Sequence, residues 1–480
     1  MEIRPKFVIR LPLREMALRM AVGKVWIEDE TLTWIANFPF KELPEDEYKT
    51  EWGANVECKV KDKVSKLVLP QSLKQRMLLV VSPMGLEILK WMKWFCIVEF
   101  FDKWNLVDSS DMQILKQLSW SSTGAIDYQK TAEGLVRVSA LDVLIRYKLA
   151  CLYCLVDDIP VLWRKLPEET QRRLYDAHVS NRSITRGMLT IMESYWAYCL
   201  KEKESKSTFV TEGRMSPDLF YRYALHSSVN AGNKAATQHF LQKLTSEDRD
   251  SFLSDVFSSV LKRREGKRRF LEEDVSEVIR YLLSQMRLEQ QMHVLQEYTR
   301  DILKYFLNWP LQDLFLDIAG SMRTFLPSLS YNQYVLQTMS EASYSGYYYP
   351  DLMQQCYVRN PGTFRRQFLY CFANRICESE DIETIKVIFR YSDISDRSEF
   401  RPCDPFFQIL RSIVIKDKLH ILGACLQEVS LSKKSVKTIK KSYVEFLKHD
   451  RTLRKKWKKV FKILKLYIPR KKKDGTVTKN

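Results

Sequence analysis

One string of residues recurs along this chain and restricts the fold more than any other feature. Ala150, Cys154, Asp158, Ile159 and Leu162 return as Ala373, Cys377, Asp381, Ile382 and Ile385, 223 residues later. Each copy is an apolar face at three- and four-residue steps, interrupted by an acid and then resumed, which reads as helix, tight turn, helix. Shorter echoes accompany it. Tyr223 and Leu225 stand 76 residues after Tyr147 and Leu149, with Asn233 and Lys234 at the turn. Asp417 follows Asp381 by 36 residues, flanked by Ile409, Ile413, Ile421 and Cys425. These offsets are roughly one, two and six units of about 36 to 38 residues, the size of a helix-pair repeat. An Asp at such a turn is placed to cap the second helix, and Pro160 is tolerated in a first turn, where its missing N–H has no intrahelical partner.

Composition agrees. Only 14 Gly and 16 Pro occur in 480 residues, too few for the many tight turns of an all-β protein, while 45% hydrophobic residues suffice for a buried core. The expected fold class is all-α: stacked antiparallel helix pairs forming an α-solenoid over residues 131–430. A helical region over 1–130 precedes it, and a basic helix and tail over 431–480 follow.

The A-x3-C-x3-D-I-x2-L/I pattern resembles a degenerate ankyrin repeat, whose second half reads A-x3-G-N/D/H before an aliphatic helix. The resemblance covers roughly 138–430. The chain has no Thr-Pro-Leu-His-type turn, and the pre-turn glycine occurs only as Gly232. The resemblance therefore implies ankyrin-like helix pairs without clear β-hairpin fingers, in the manner of uncharacterised intracellular helical-repeat proteins, and implies no known chemistry.

In the first 130 residues, Met16, Met20 and Ile27 follow helical spacing, Pro44 marks a helix start, and an amphipathic pattern runs from Leu73 to Trp104. Ser119 to Asp127 is a loop by composition. Arg10, Arg14 and Arg19 interrupt any apolar signal-peptide core. Met77 to Phe101, the most hydrophobic stretch, carries Pro83, Glu87, Lys90, Lys93 and Glu99, which argues against a membrane span. The ten scattered cysteines fit reduced, buried thiols. The expectation is a soluble, cytoplasmic protein, with nuclear import open to it, for which the Asn181-Arg182-Ser183 sequon is idle.

Catalytic signatures are sparse. Cys151-x-x-Cys154 lacks the second ligand pair of a zinc site and lies in an apolar helix rather than at a helix start, so core packing is expected. The six histidines are dispersed; His226 and His239, separated by a turn, could approach one another. Asp157 and Asp158 are read as capping residues rather than as an acid pair. No Gly-rich phosphate loop or nucleophile elbow occurs. Lys262 to Arg269 is basic, but Glu272, Glu273, Asp274 and Glu277 follow at once. The tyrosines between Tyr344 and Pro350 are expected to pack on neighbouring helix ends. Neither metal nor cofactor is implied.

Charge singles out the last fifty residues. Leu431 to Asn480 holds nineteen Lys/Arg against Glu445, Asp450 and Asp474, a net of +16 out of +18 for the chain. Leu453, Trp457, Val460 or Phe461, Leu464 and Ile468 step along one helical face, and basic residues fill the rest. Pro469 stops this helix, and Arg470-Lys471-Lys472-Lys473 follows, resembling a nuclear-import signal. Candidate contacts to an import receptor or acidic partner are Arg454, Lys455, Lys456, Lys458, Lys459, Arg470, Lys471, Lys472 and Lys473. Nuclear import or nucleic acid, an anionic membrane surface and a calmodulin-type groove all fit such a segment, as does a plain solenoid cap with a solubilising face. The reading is a non-catalytic protein-interaction scaffold with a basic localising tail. Its alternative is a nucleic-acid-binding protein led by that tail.

Overall fold

The computed structural model describes residues 11–39, 47–95, 109–179, 188–205, 217–262, 275–344, 350–360, 362–392, 404–426, 433–446 and 451–467. Among these residues the chain is helical throughout, and one isolated bridge, Trp120 to Ile126, is the only β pairing. It forms two compact units, Met1–Leu314 and Phe315–Asn480. No helix among the described residues is long and apolar enough to cross a membrane.

The first unit begins with α1 (Leu13–Trp26) and α2 (Asp29–Ala36). Next comes α3 (Tyr48–Trp52), which runs through a π-helical turn at Gly53–Glu57 into α4 (Cys58–Lys66). The long α5 (Gln71–Phe95) passes through a buried Pro83. Indoles make the core here. Trp26 and Trp52 stack at 5.9 Å, Phe38 meets Trp52 edge-on at 5.2 Å, and Gly85 of α5 lies so close that a β-carbon there would sit 2.7 Å from Trp26. After α6 (Ser109–Leu115) the Ser119–Asp127 loop closes on itself, with Ser121 N donating to Ala125 O and Asp127 N to Ser119 O.

The unit continues with α7 (Tyr128–Leu135), α8 (Val143–Leu152), α9 (Asp158–Trp163), α10 (Glu168–Val179) and α11 (Met188–Ser205). Then follow α12 (Pro217–Ala231), α13 (Lys234–Lys243), α14 (Ser246–Leu261), α15 (Val275–Gln285), α16 (Leu288–Glu297) and α17 (Thr299–Leu307). Arg19 ties the beginning of this unit to its end. Its fully buried guanidinium donates to Thr123 O at 2.6 Å and Pro310 O at 2.7 Å, pairs with Asp313 at 2.7 Å and lies 4.2 Å over the Trp309 ring. The Trp309 indole in turn donates to Gly124 O. Gly124 has φ +78°, and a side chain there would strike both Trp309 and Arg19. Burying a charge costs several kcal/mol unless hydrogen bonds replace water, which these acceptors do.

The second unit holds α18 (Phe315–Met322), α19 (Ser328–Tyr344), α20 (Pro350–Arg359), α21 (Gly362–Glu378) and α22 (Ile382–Arg390). It ends with α23 (Pro405–Ile415), α24 (Leu419–Leu426), α25 (Lys433–Phe446) and α26 (Arg451–Leu466). Alternate helices pack on one another: α18 on α20, α20 on α22 and α22 on α24 in one row, α19 on α21 and α21 on α23 in another. Phe364, Phe368 and Phe372 of α21 and Phe406 and Phe407 of α23 fill the space between them.

Four helix–helix turns share one hydrogen-bond pattern. Cys154 (φ 53°), Gly232 (φ 76°), Glu380 (φ 51°) and Asp417 (φ 56°) take the left-handed conformation just after a helix. In each turn the following N–H reaches the carbonyl five residues back: Leu155 to Ala150, Asn233 to Ser228, Asp381 to Ile376 and Lys418 to Ile413. This is the Schellman helix ending. Asn233 and Asp381 then cap the next helix, accepting from Ala236 N at 2.9 Å and Thr384 N at 3.0 Å.

These turns align Cys154 with Glu380, an offset of 226 rather than 223, because an apolar face repeating every three to four residues looks the same after a slip of three. The expected caps at Asp157 and Asp158 also differ. Asp157 stands at the N-cap of α9 without a side-chain cap bond, and Asp158 is already the first helical residue. Asp157 keeps a right-handed helical backbone (φ −81°, ψ −35°) instead of the extended one from which a capping side chain reaches the next amides, and Asp158 N bonds to Leu155 O.

Candidate functional site

The C-terminal helices carry the one strongly charged surface that the sequence points to. α26 forms because its apolar residues share one face and the intervening lysines are good helix formers. Trp457, Val460 and Leu464 are buried, Trp457 to 1% exposure. The Trp457 ring stacks on Phe407 of α23 at 5.8 Å and an interplanar angle of 23°, and lies 5.7 Å from Phe461. α26 packs against α23, α24 and α25, and Val436 and Ile439 make the buried edge of α25.

With the apolar edges turned inward, the lysines point out. Lys458, Lys459, Lys462 and Lys465 are exposed on α26, and Lys433, Lys434, Lys437, Lys440 and Lys441 on α25. Of the residues expected from sequence, Lys458 and Lys459 lie on this face, and Lys456 approaches Asp417 at 3.5 Å. Arg454 and Lys455 belong to the first turns of α26. Arg470, Lys471, Lys472 and Lys473 lie outside the described residues. The five α25 lysines are exposed as well without having been expected. Their signal is present in the sequence, as lysines at steps of three and four beside the apolar Val436 and Ile439.

The thiol pair has a packing environment. Cys151 is buried in α8, and burial pushes its thiol well above the ordinary range; Cys154 is pushed up to about 12 for the same reason. Cys154 also lies past the C-terminal end of α8, where the helix dipole opposes a thiolate rather than favouring it. Neighbouring residues make a dense aromatic cluster. Tyr195 stacks on Phe220 at 5.4 Å and hydrogen-bonds His239 Nε2 at 3.2 Å, while Trp196 and Phe240 also face the imidazole. Burial lowers the His239 pKa to about 4, keeping the ring neutral, and Lys243 adds to the effect. His226 is exposed and its ring lies against Asn230, so the two histidines have separate partners.

A cleft of about 140 Å³ opens between the Ser119–Asp127 loop and the start of α13, lined by Ser121, Asp127, Tyr153, Lys234, Gln238 and Glu277. Its charges are engaged. Asp127 caps α7 through Lys130 N, and Glu277 holds Arg280 at 2.6 Å, Thr123 at 3.3 Å and Lys234 at 3.4 Å. Such a volume is below the usual range of about 300–1,000 Å³ for ligand pockets. Among the described residues no group of three His, Cys, Asp or Glu side chains is disposed to hold a metal ion.

The Tyr344–Pro350 tyrosines beyond Tyr344, most of the Lys262–Arg269 cluster, Pro44, the residues of the Leu73–Trp104 pattern after Phe95, and the 181–183 sequon lie outside the described residues. The chain matches no known protein family and no curated protein.

Proposed function

We propose that this protein is a non-catalytic binding scaffold: helix pairs stacked as a solenoid present their outward faces to a protein partner, and the basic C-terminal helices meet an acidic one. The observation that carries this reading is the alternate-helix packing of the second unit, α18–α20–α22–α24 and α19–α21–α23, with α21–α22 and α23–α24 joined through turns of one pattern. Repeats of that kind contact only their neighbours and leave a continuous outer surface that no single core covers. On α21 and α23 that surface includes Arg366, Tyr370, Asn374 and Ile415, with Tyr370 87% exposed. An open tyrosine beside arginine suits a binding hot spot.

The reading is tested with the full chain as bait, cross-linked to its bound partner and mapped by mass spectrometry. Cross-links concentrated on the outer faces of α21 and α23, with binding lost on Tyr370→Ala and Arg366→Ala, are the expected result. Turnover of a substrate, abolished by changing a compact polar set while hydrogen exchange stays native, would overturn it.

A further inference from the structure

The lysine face of α25 and α26 narrows the acidic partner to one class. Burial of Trp457, Val460 and Leu464 against α23 and its neighbours removes the apolar stripe from the surface. An amphipathic helix that lies in a membrane interface sinks that stripe among the acyl chains, and a helix taken into a hydrophobic groove anchors through it. Both modes would require α26 to undock first. What remains accessible on these helices is chiefly a set of ammonium groups, with Leu466 as a lone exposed apolar side chain among them.

Their spacing is regular. Lys433, Lys437 and Lys440–Lys441 follow one edge of α25 and span about 12 Å at 1.5 Å per residue. Lys458, Lys462 and Lys465 follow one edge of α26 over about 10 Å. α25 and α26 pack on one another, with axes roughly 8–10 Å apart as is usual for packed helices. A duplex places one phosphate charge per 1.7 Å of its axis, so about six or seven phosphates lie along this length. Nine lysines are exposed along these two packed helices, enough to neutralise several of those phosphates.

The residue type is informative too. Lysine is a point charge that neutralises phosphate without the bidentate fork by which arginine reads carboxylates and guanine edges. Stacking of unpaired bases needs open aromatic rings, whereas Trp457 is buried and Phe461 is half-covered beside it.

We infer that the α25–α26 lysine face binds the phosphate backbone of double-stranded nucleic acid without regard to sequence. This rests on the reading of these helices as a surface for an acidic partner. DNA and RNA duplexes share the chemistry that the face recognises.

The experiment uses the full chain and fluorescence anisotropy with short labelled DNA and RNA duplexes, a labelled poly-glutamate, and phosphatidylcholine vesicles containing phosphatidylserine. With about four phosphates neutralised, duplex affinity falls on the order of a hundredfold between 50 and 200 mM salt. Changing Lys433, Lys437, Lys440 and Lys441 together to Gln, or Lys458, Lys459, Lys462 and Lys465 together to Gln, is expected to weaken duplex binding at least tenfold with hydrogen exchange unchanged. Tighter binding to one duplex type identifies the source.

Three results would overturn the inference: no duplex binding at low salt, duplex binding indifferent to both quadruple variants, or binding removed only by changing Arg470 to Lys473. Poly-glutamate or vesicles bound more tightly than duplexes, through the same lysines, would sink the nucleic-acid inference and leave the acidic-partner reading standing. No anion bound at all would remove both.

Discussion

Replacing Trp457 by alanine separates a docked α26 from a free basic helix. A buried tryptophan removes about 150–250 Å² from water, and at about 25 cal/mol per Å² this is roughly 4–6 kcal/mol. Truncations of buried aromatic side chains to alanine cost about 3–5 kcal/mol, because part of the cavity collapses. Trp457 is 1% exposed and stacked on Phe407, so a loss of about 4 kcal/mol is expected in the free energy that holds α26 against α23. Since 1.4 kcal/mol is tenfold in an equilibrium, opening of α26 should become about a thousandfold more frequent.

Hydrogen exchange with mass spectrometry reads this directly. Peptides from α26 and from the Phe407 turn of α23 should lose protection, and those from α18 should not. Lys458→Gln, an exposed neighbour, should change stability by less than about 0.5 kcal/mol. Native protection of α26 in the Trp457→Ala protein would refute the reasoning, because it would mean that the stack on Phe407 does not hold the helix.

Four further outcomes follow from packing and charge. Gly85→Ala should destabilise by about 1–3 kcal/mol despite the better helix propensity of alanine, because its β-carbon would meet Trp26 at 2.7 Å and Trp52 at 2.9 Å. Gly320→Ala, with nothing within 4 Å, should stabilise by about 0.5–1 kcal/mol; a denaturant series that reverses the two signs would contradict the packing. Arg19→Leu leaves two buried carbonyls and the Asp313 carboxylate without their donor and should cost about 3 kcal/mol, less than a fully buried pair because Asp313 is about one-third exposed. A loss below about 1 kcal/mol in thermal or chemical denaturation would speak against this clamp. His239 should titrate near 4 in the folded protein by imidazole NMR. Its neutral form contributes stability fully above the ordinary value of 6.5, and that contribution is lost as the pH falls from 6.5 through 4; a native-state midpoint near 6.5 would contradict its burial.

Local rules made much of this fold legible. Scarce Gly and Pro with three- and four-residue apolar steps announce helices, and the Ser119–Asp127 loop, the turn at Asn233 and the cap at Asp381 lie where composition puts them. The stripe through Trp457, Val460 and Leu464 is the one that is buried. Register within a helical turn was not legible, since Ala150 and Ala373 look equivalent in sequence while the turn conformation makes Cys154 the counterpart of Glu380. Nor was the left-handed turn position, because Cys, Glu and Asp occupy it at three of the four turns in place of the glycine that would have marked it. The clamp at Arg19 was not legible either, because its partners Pro310 and Asp313 stand 291 and 294 residues away. At the C-terminal surface the basic run after Arg451 is dense in the sequence, whereas the α25 lysines are diluted by Ser, Thr and Val and gathered on one side only by the helix.

The central claim is that the outward lysines of α25 and α26 are a working surface rather than a solubilising one. The most direct measurement is the slope of log K against log salt concentration for duplex binding by the full chain, compared with the α25 and α26 quadruple Lys→Gln variants. The account predicts a slope of about −3 to −4 for the unaltered protein, shallower by roughly 0.9 for each phosphate contact that a variant loses. Equal slopes in all three proteins, or a slope near zero in the unaltered one, would contradict it.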